Sequence, residues 1–470
     1  MNSDMNKVLF SSITATGIAT GWVTIACLYS GNVAARPGFY LQPVPHEAYD
    51  PGSIAERIAF HEGRVHRDPG GPIGWQMLGN AYLSRARESD SYEFSVKAEA
   101  AGRKSLAIRT RGNLAASKLL INSLLQQHRF QAALTEADDG LHIEPNDARA
   151  HEAKAETLFE VGRYAEAKAE LSKDDELDQD IEGISLAARM QDIQGDPTGA
   201  VATMRKALSL AEGNAGYPAM TLAWFHSRIG MLLESMGQTD KADSEYQTAS
   251  GLYPRDYKAW SGRARIAFRK ADWKEAIRLG EVSNSIAPMA DVEGMVGDAC
   301  SLLGETKQAG IHYDKVAVLA GMPSGVSDGM HEFAAAAMKV GVHGHRLDRQ
   351  YAMFCADHAR DLDGAYASCL RDLQERQDVY GFDALAWVCL KRGQLDEAGK
   401  AEERAMKTGS HDPKLWFHAA AICEAKKDAR GAKSFLSKAM QYGFQPDPIQ
   451  ARIAQRIGFP VTGESRVAKT

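Results

Sequence analysis

The chain has 470 residues, 44% hydrophobic and 25% charged, with a formal net charge of -6 and a pI near 6.2. That is the balance of a folded chain long enough for two or three domains or one extended array. Mild acidity argues against nucleic-acid binding, which carries a basic footprint, so no nucleic-acid partner is expected.

The N-terminus differs from the rest. Val8 to Tyr29 reads "VLFSSITATGIATGWVTIACLY" and holds no charge. A helix over it would span about one bilayer, although its threonines and glycines dilute the apolar character. Three readings stay open. The segment is a cleaved signal peptide with Val33-Ala34-Ala35 as the small-residue site before Arg36, or a retained anchor, or a lipoprotein signal at Cys27. The last has Thr24 where a leucine is expected. Residues 1–35 are therefore read as a signal peptide or transmembrane anchor, touching the membrane through 8–29 if retained. The rest of the chain would then be periplasmic, secreted or membrane-anchored outside the cytoplasm. Residues 36–54 contain prolines and read as an extended spacer.

From about residue 55 the apolar residues recur every three or four positions, the helical period. The stretch "WQMLGNAY" sets Trp75, Leu78, Gly79 and Tyr82 on one helical face. Later segments align on a glycine with an alanine five residues on: Gly162/Ala167, Gly195/Ala200, Gly237/Ala242, Gly304/Ala309 and Gly393/Ala398. Ala271/Ala276 keeps the spacing without the glycine. Glycine ends a helix where a left-handed cap is needed. The alanine marks a close helix crossing, an aromatic fills the gap, and proline opens the next unit. The unit from 222 adds His226, Gly230, Leu233, Tyr246, Ala249 and Pro254. The unit from 256 adds Trp260, Ala264, Trp273, Ala276 and Pro288.

This pattern resembles the tetratricopeptide repeat: Trp-x2-Leu-Gly-x2-Tyr, then Ala, Tyr or Phe, Ala and Pro. The resemblance covers about nine units over 55–445. It implies an all-α, right-handed α-solenoid of stacked antiparallel helix pairs, with Trp75, Trp260 and Trp273 buried between helices. An extra helix is expected near 326–341. The second helix of the unit from 148 is short and runs into an acidic stretch. Residues 446–470 read as a C-terminal cap and a disordered tail.

Chemical motifs are few. Gly325-Val326-Ser327-Asp328-Gly329 matches the G-x-S-x-G nucleophile pattern, but that turn needs a preceding strand. In a helical context Ser327 or Asp328 reads as a helix cap. His343, His345, Cys355 and His358 do not have the spacing of a known metal set, and the histidine pair reads as a solvated loop. Asp174 to Glu182 reads as a solvated acidic linker. No P-loop, HExxH or dinucleotide fingerprint occurs, so no enzyme activity, cofactor or metal is expected. A hydrolase or metal enzyme using Ser327 or His343/His345 is the remaining alternative. Cys27, Cys300, Cys355, Cys369, Cys389 and Cys423 form no CxxC pair. They read as small buried hydrophobes, with Cys355 free to pair with Cys369 or Cys389 if the body is exported.

In a helical-pair solenoid the first helices line the concave face. The resemblance implies one binding mode that clamps a partner's terminal carboxylate with Lys-x3-Asn. Lys118 and Asn122 match it, while Ala153 stands where the next asparagine is needed. Asn80, Lys118, Asn122 and Arg149 are the candidate partner-binding stripe. The expected function is a non-enzymatic protein-interaction scaffold, an exported or membrane-anchored adaptor or assembly factor. A tethered structural subunit of a membrane-bound complex is the alternative.

Overall fold

A computed structural model describes residues 51–173, 180–214, 217–321 and 348–460. The leader, the first part of the spacer, the helix near 326–341, Ser327, His343, His345 and the tail from 461 lie outside the described residues.

Among the described residues the fold is all-helical. α1 (Pro51–Arg67) precedes ten helix pairs. The first five are α2 (Pro72–Ser89) with α3 (Tyr92–Ile108), α4 (Leu114–Gln126) with α5 (Phe130–Ile143), α6 (Ala148–Glu160) with α7 (Tyr164–Leu171), α8 (Ile181–Ile193) with α9 (Pro197–Glu212), and α10 (Ala219–Ser235) with α11 (Thr239–Leu252). The other five are α12 (Tyr257–Arg269) with α13 (Trp273–Ile286), α14 (Ala290–Leu302) with α15 (Thr306–Leu319), α16 (Asp348–Asp357) with α17 (Leu362–Glu375), α18 (Val379–Lys391) with α19 (Leu395–Ala405), and α20 (Pro413–Ala425) with α21 (Ala429–Gln441). α22 (Pro448–Ile457) closes the stack over Phe444. Each pair packs mainly on itself and on its sequence neighbours, the arrangement of an α-solenoid.

The local chemistry follows the repeat. Gly162, Gly195, Gly237, Gly304 and Gly393 all take positive φ at the turn between paired helices. Ala271 takes φ 60° at the same place. The alanines five residues on, Ala167, Ala200, Ala242, Ala276, Ala309 and Ala398, are all buried. Aspartates cap the starts of many helices: Asp196, Asp272 and Asp428 on second helices, Asp147, Asp256 and Asp412 on first helices. Each gives a side-chain acceptor to amides that the helix itself leaves unpaired.

Tyr246 shows how close the crossings are. Its ring is fully buried between Gly230 and Gly262, and its hydroxyl donates to Glu234 at 2.6 Å. Ala249 beside it is also buried, and Tyr253 begins the turn that carries Pro254. In the first pair, Gly79 lies against Leu119, Ala101 and the carbonyl of Ala98, next to buried Leu78.

Trp75, Trp260 and Trp273 are half-buried rather than buried. An indole N–H needs an acceptor, and the rim of the pair supplies one. Trp75 Nε1 donates to the Pro69 carbonyl at 2.9 Å, and Trp260 Nε1 to the Pro254 carbonyl at 2.8 Å. Trp416 repeats the bond to the Ser410 carbonyl at 2.9 Å. These tryptophans tie the entry loop to its helix. Trp273 packs edge-on against Phe268. Pro288 stands in the turn before α14. Cys355, Cys369 and Cys389 share one core as thiols, so no disulfide joins them. Burial pushes the Cys355 thiol up to about 11 and Cys389 up to about 12.

The array winds back onto itself. Gln377 N–H donates to the Val161 carbonyl at 3.1 Å, and Val379 N–H to the Tyr164 hydroxyl at 3.2 Å. Gln131 reaches the Glu375 carbonyl at 2.9 Å, and Gln445 the Gly237 carbonyl at 3.3 Å. A Cβ placed on Gly162, Gly195 or Gly237 would lie 2.4, 2.4 or 2.7 Å from the carbonyl oxygens of Gln377, Gly409 and Gly443. Those three turn glycines therefore allow backbone to meet backbone. At the other end, buried Glu88 accepts from Tyr253 and from Arg255 Nε at 3.0 Å, fastening α2 to the α11–α12 turn.

Gly262→Ala places a methyl carbon 2.4 Å from the Tyr246 ring. It is expected to cost about 2 kcal/mol in urea unfolding, because a buried ring cannot yield. Gly310→Ala, in α15 with nothing within 4 Å of the new carbon, is expected to stabilise by up to about 1 kcal/mol through helix propensity alone.

Candidate binding surface

Winding brings the first helices of distant pairs to face one another. Lys118 of α4 donates to Glu152 of α6 at 3.2 Å and pairs with Glu182 of α8. Burial works against the Lys118 charge, but Glu182 and Glu152 outweigh it and hold the ammonium above its ordinary value. Arg189 of α8 pairs with Glu160 and lies 3.7 Å from Glu156, both on α6, with its guanidinium 4.4 Å from the Phe159 ring centroid.

On the next first helix is Arg228 of α10. It lies in the fields of Arg189, Asp192, Glu160 and Tyr380, the last from α18. Burial, with Arg189 beside it, pushes the Arg228 guanidinium down to about 10. Lys258 of α12 is in the fields of Arg228, Asp90, Asp256 and Arg87, and burial pulls its ammonium below the usual value. Asp192 of α8 feels Asp412, which caps α20; burial and then Asp412 push its carboxyl up to about 6. Helices α2, α4, α6, α8, α10 and α12, with the Asp412 cap of α20, thus contribute charges, and Tyr380 of α18 a neutral phenol, to one series of neighbouring fields. Lys258 is exposed to water and Arg228 and Asp192 partly so.

The candidate stripe from the sequence divides. Lys118 is at the centre of an ion-pair cluster, and Arg149, exposed at the start of α6, lies in the field of Glu182 together with Arg87. Lys118 and Asn122 do not act as a pair. The lysine is turned to Glu152 and Glu182, while the half-buried Asn122 side chain makes no hydrogen bond among the described residues. Asn80 is half-buried on α2, where its carbonyl accepts from Ser84. Ala153 is buried. Asp180 and Glu182, at the end of the acidic stretch, cap α8 and bind Lys118. His358 bonds Asp298 at 2.7 Å and the Phe354 carbonyl at 2.8 Å. Among the described residues no cluster of three or more His, Cys, Asp or Glu has the arrangement of a metal site.

Sequence reasoning passed over Arg189, Arg228, Lys258, Asp192 and Tyr380. Their signal was position on a first helix. What brings them together is the curvature of the array, which no local spacing encodes.

Residues 118–173 and 228–285 match the profile of the family described as tetratricopeptide repeat. No curated protein matches the chain. Among solved structures, a human IFIT1 dimer with PPP-AAAA is similar at 17% identity and a TM-score of 0.43, over 72% of this chain and 73% of that one. The APC/C hetero-tetramer Cut9–Hcn1 is similar at 12% identity and 0.30, over 88% and 94%. A tetratricopeptide repeat protein from Parabacteroides merdae is similar at 18% identity and 0.36, over 55% and 98%.

Asp192 gives the interior a pH dependence. Its folded pKa lies above the ordinary carboxylate value, so its contribution is intact at low pH and is lost as pH rises through about 6. Asp192→Asn should therefore gain about 1 kcal/mol at neutral pH, after discounting for partial exposure. The variant and the parent should unfold alike below the carboxylate range, as read from urea midpoints at the two pH values.

Proposed function

We propose that this tetratricopeptide-repeat protein is a non-enzymatic scaffold that holds an extended segment of a partner protein inside its coil. One observation carries the reading: charged side chains of the first helices α4, α6 and α8 pair across successive units, with Arg228 and Lys258 on the next two first helices. A surface built before the partner arrives spares most of the ordering cost of binding. The ion pairs along it fix side chains that would otherwise have to be immobilised in the complex.

We further propose that the array works outside the cytoplasm as an adaptor or assembly factor, exported or held at a membrane by residues 8–29. The charge-free run from Val8 to Tyr29 supports this. Among the described residues no helix is long and apolar enough to cross a membrane.

A photo-crosslinking residue in place of Trp224, one turn before Arg228 on α10, should capture a partner in the producing cells. The same residue in place of exposed Leu210 on α9 should not. Capture at Leu210 alone would overturn the reading. Intact-mass analysis of the same material tests the leader: a start at Arg36 establishes cleavage and removes the anchor. An intact chain that leaves membranes on carbonate extraction would contradict both forms of the proposal.

A further inference from the structure

Most charges inside the coil are matched. Lys118 meets Glu152 and Glu182, Arg189 meets Glu156 and Glu160, and Arg265 and Arg269 both meet Glu234. Two cations break the pattern. Among the described residues Arg228 has no carboxylate at ion-pair distance. Its Nη1 meets the Met231 sulfur at 3.9 Å, and its guanidinium lies 5.8 Å from the Trp224 ring centroid. Lys258 has none either, and its ammonium lies 5.6 Å from the Tyr257 ring centroid.

The nearest acid to Lys258 in sequence is already occupied. Asp256 Oδ1 accepts from the amides of Lys258 and Ala259 at 3.0 and 3.2 Å, and its Oδ2 accepts from Ser227 at 2.8 Å. Arg228 and Lys258 stand on neighbouring first helices, α10 and α12, which the Ser227–Asp256 bond at 2.8 Å ties together beside them. The Glu88 contact with Tyr253 and Arg255 carries the end of α2 to the same place, which brings exposed Arg87 into their field.

Like charges held together with no carboxylate at ion-pair distance raise the energy of the fold. An anion that docks beside them relieves the repulsion and meets donors already in place. We propose that Arg228 and Lys258, with Arg87 beside them, form a recognition site for a carboxylate side chain on an acidic segment of the partner. The site rests on the scaffold reading above.

The surroundings favour isolated carboxylates over a nucleic-acid backbone. Asp90, Asp192 and Asp256 lie in the fields of the same two cations. A strand with a charge at every phosphate would set its neighbouring phosphates against those aspartates. An acidic residue flanked by neutral ones would not. The guanidinium can take a carboxylate through two parallel N–H donors, and the Trp224 ring offers an apolar surface for the next residue.

The experiment is selection from a displayed library of short random peptides, using the full chain and the Arg228→Gln and Lys258→Gln variants. The expected result is enrichment of Asp and Glu on the parent chain and loss of that enrichment on both variants. Individual selected peptides should bind each variant at least about tenfold more weakly, and replacing their acids by amides should have the same effect. Melting temperatures of the variants should be unchanged or higher, because unmatched like charges have been removed. A merely structural role would lower them. Selected peptides without acidic bias, or a bias unchanged on both variants, would overturn the site. So would displacement of acidic peptides by a single-stranded oligonucleotide at lower concentration than by free acidic peptide. Peptides without acidic bias that still crosslink at Trp224 would leave the scaffold reading standing, which separates the two failures.

Discussion

Backbone meets backbone at Gly162, Gly195 and Gly237, and the interior of the coil depends on that approach. Each glycine sits in a left-handed turn between paired helices, and each lies against a carbonyl from a much later unit. A side chain at any of the three would hold the later units away. Without this seam, α18 and α20 would not face α8 and α10, and Tyr380 and Asp412 would not share a field with Arg228 and Asp192. Gly304 and Gly393 take the same backbone conformation with open space around them. The left-handed turn is thus a property of the repeat, and the close approach is a property of where the repeat falls in the coil.

The interior then follows from electrostatics in a confined place. Charges that find partners across neighbouring first helices become fixed, as Lys118 does between Glu152 and Glu182. Their partners come from the next two units, so the pairing reports superhelical geometry rather than helix propensity. Charges left without partners, Arg228 and Lys258, are displaced from their ordinary pKa values by the walls around them. Matched pairs give the surface rigidity, while unmatched charges give it a preference among ligands. Both arise from one fact, that the same helices are crowded and wet.

The fold class was legible in the sequence because its grammar is local. A left-handed turn and a small residue at a crossing recur from unit to unit whatever surrounds them, and an aspartate starts many of the helices. Even so, an alignment on glycine passes over two units. His128 with Ala133 and Lys427 with Ala432 keep the five-residue spacing with φ of 56° and 64° on residues that are not glycine. The half-burial of Trp75 and Trp260 was not legible either, because it depends on a carbonyl of the entry loop. Least legible was the interior itself. The Lys118–Asn122 spacing suggests a clamp, yet the lysine is held by acids one and two units away. Arg228 and Lys258 look like ordinary surface residues until the curvature of the array is known.

Everything said of the interior requires the coil to be closed in solution. The amides of Gln377 and Val379 report this directly, since their acceptors are the Val161 carbonyl and the Tyr164 hydroxyl, far away along the chain. Hydrogen exchange resolved at those two amides is the decisive measurement. Protection comparable to the helical amides of α18 is the predicted result. Exchange at the rate of an unstructured loop would mean an open array, with no enclosed surface for a partner to enter.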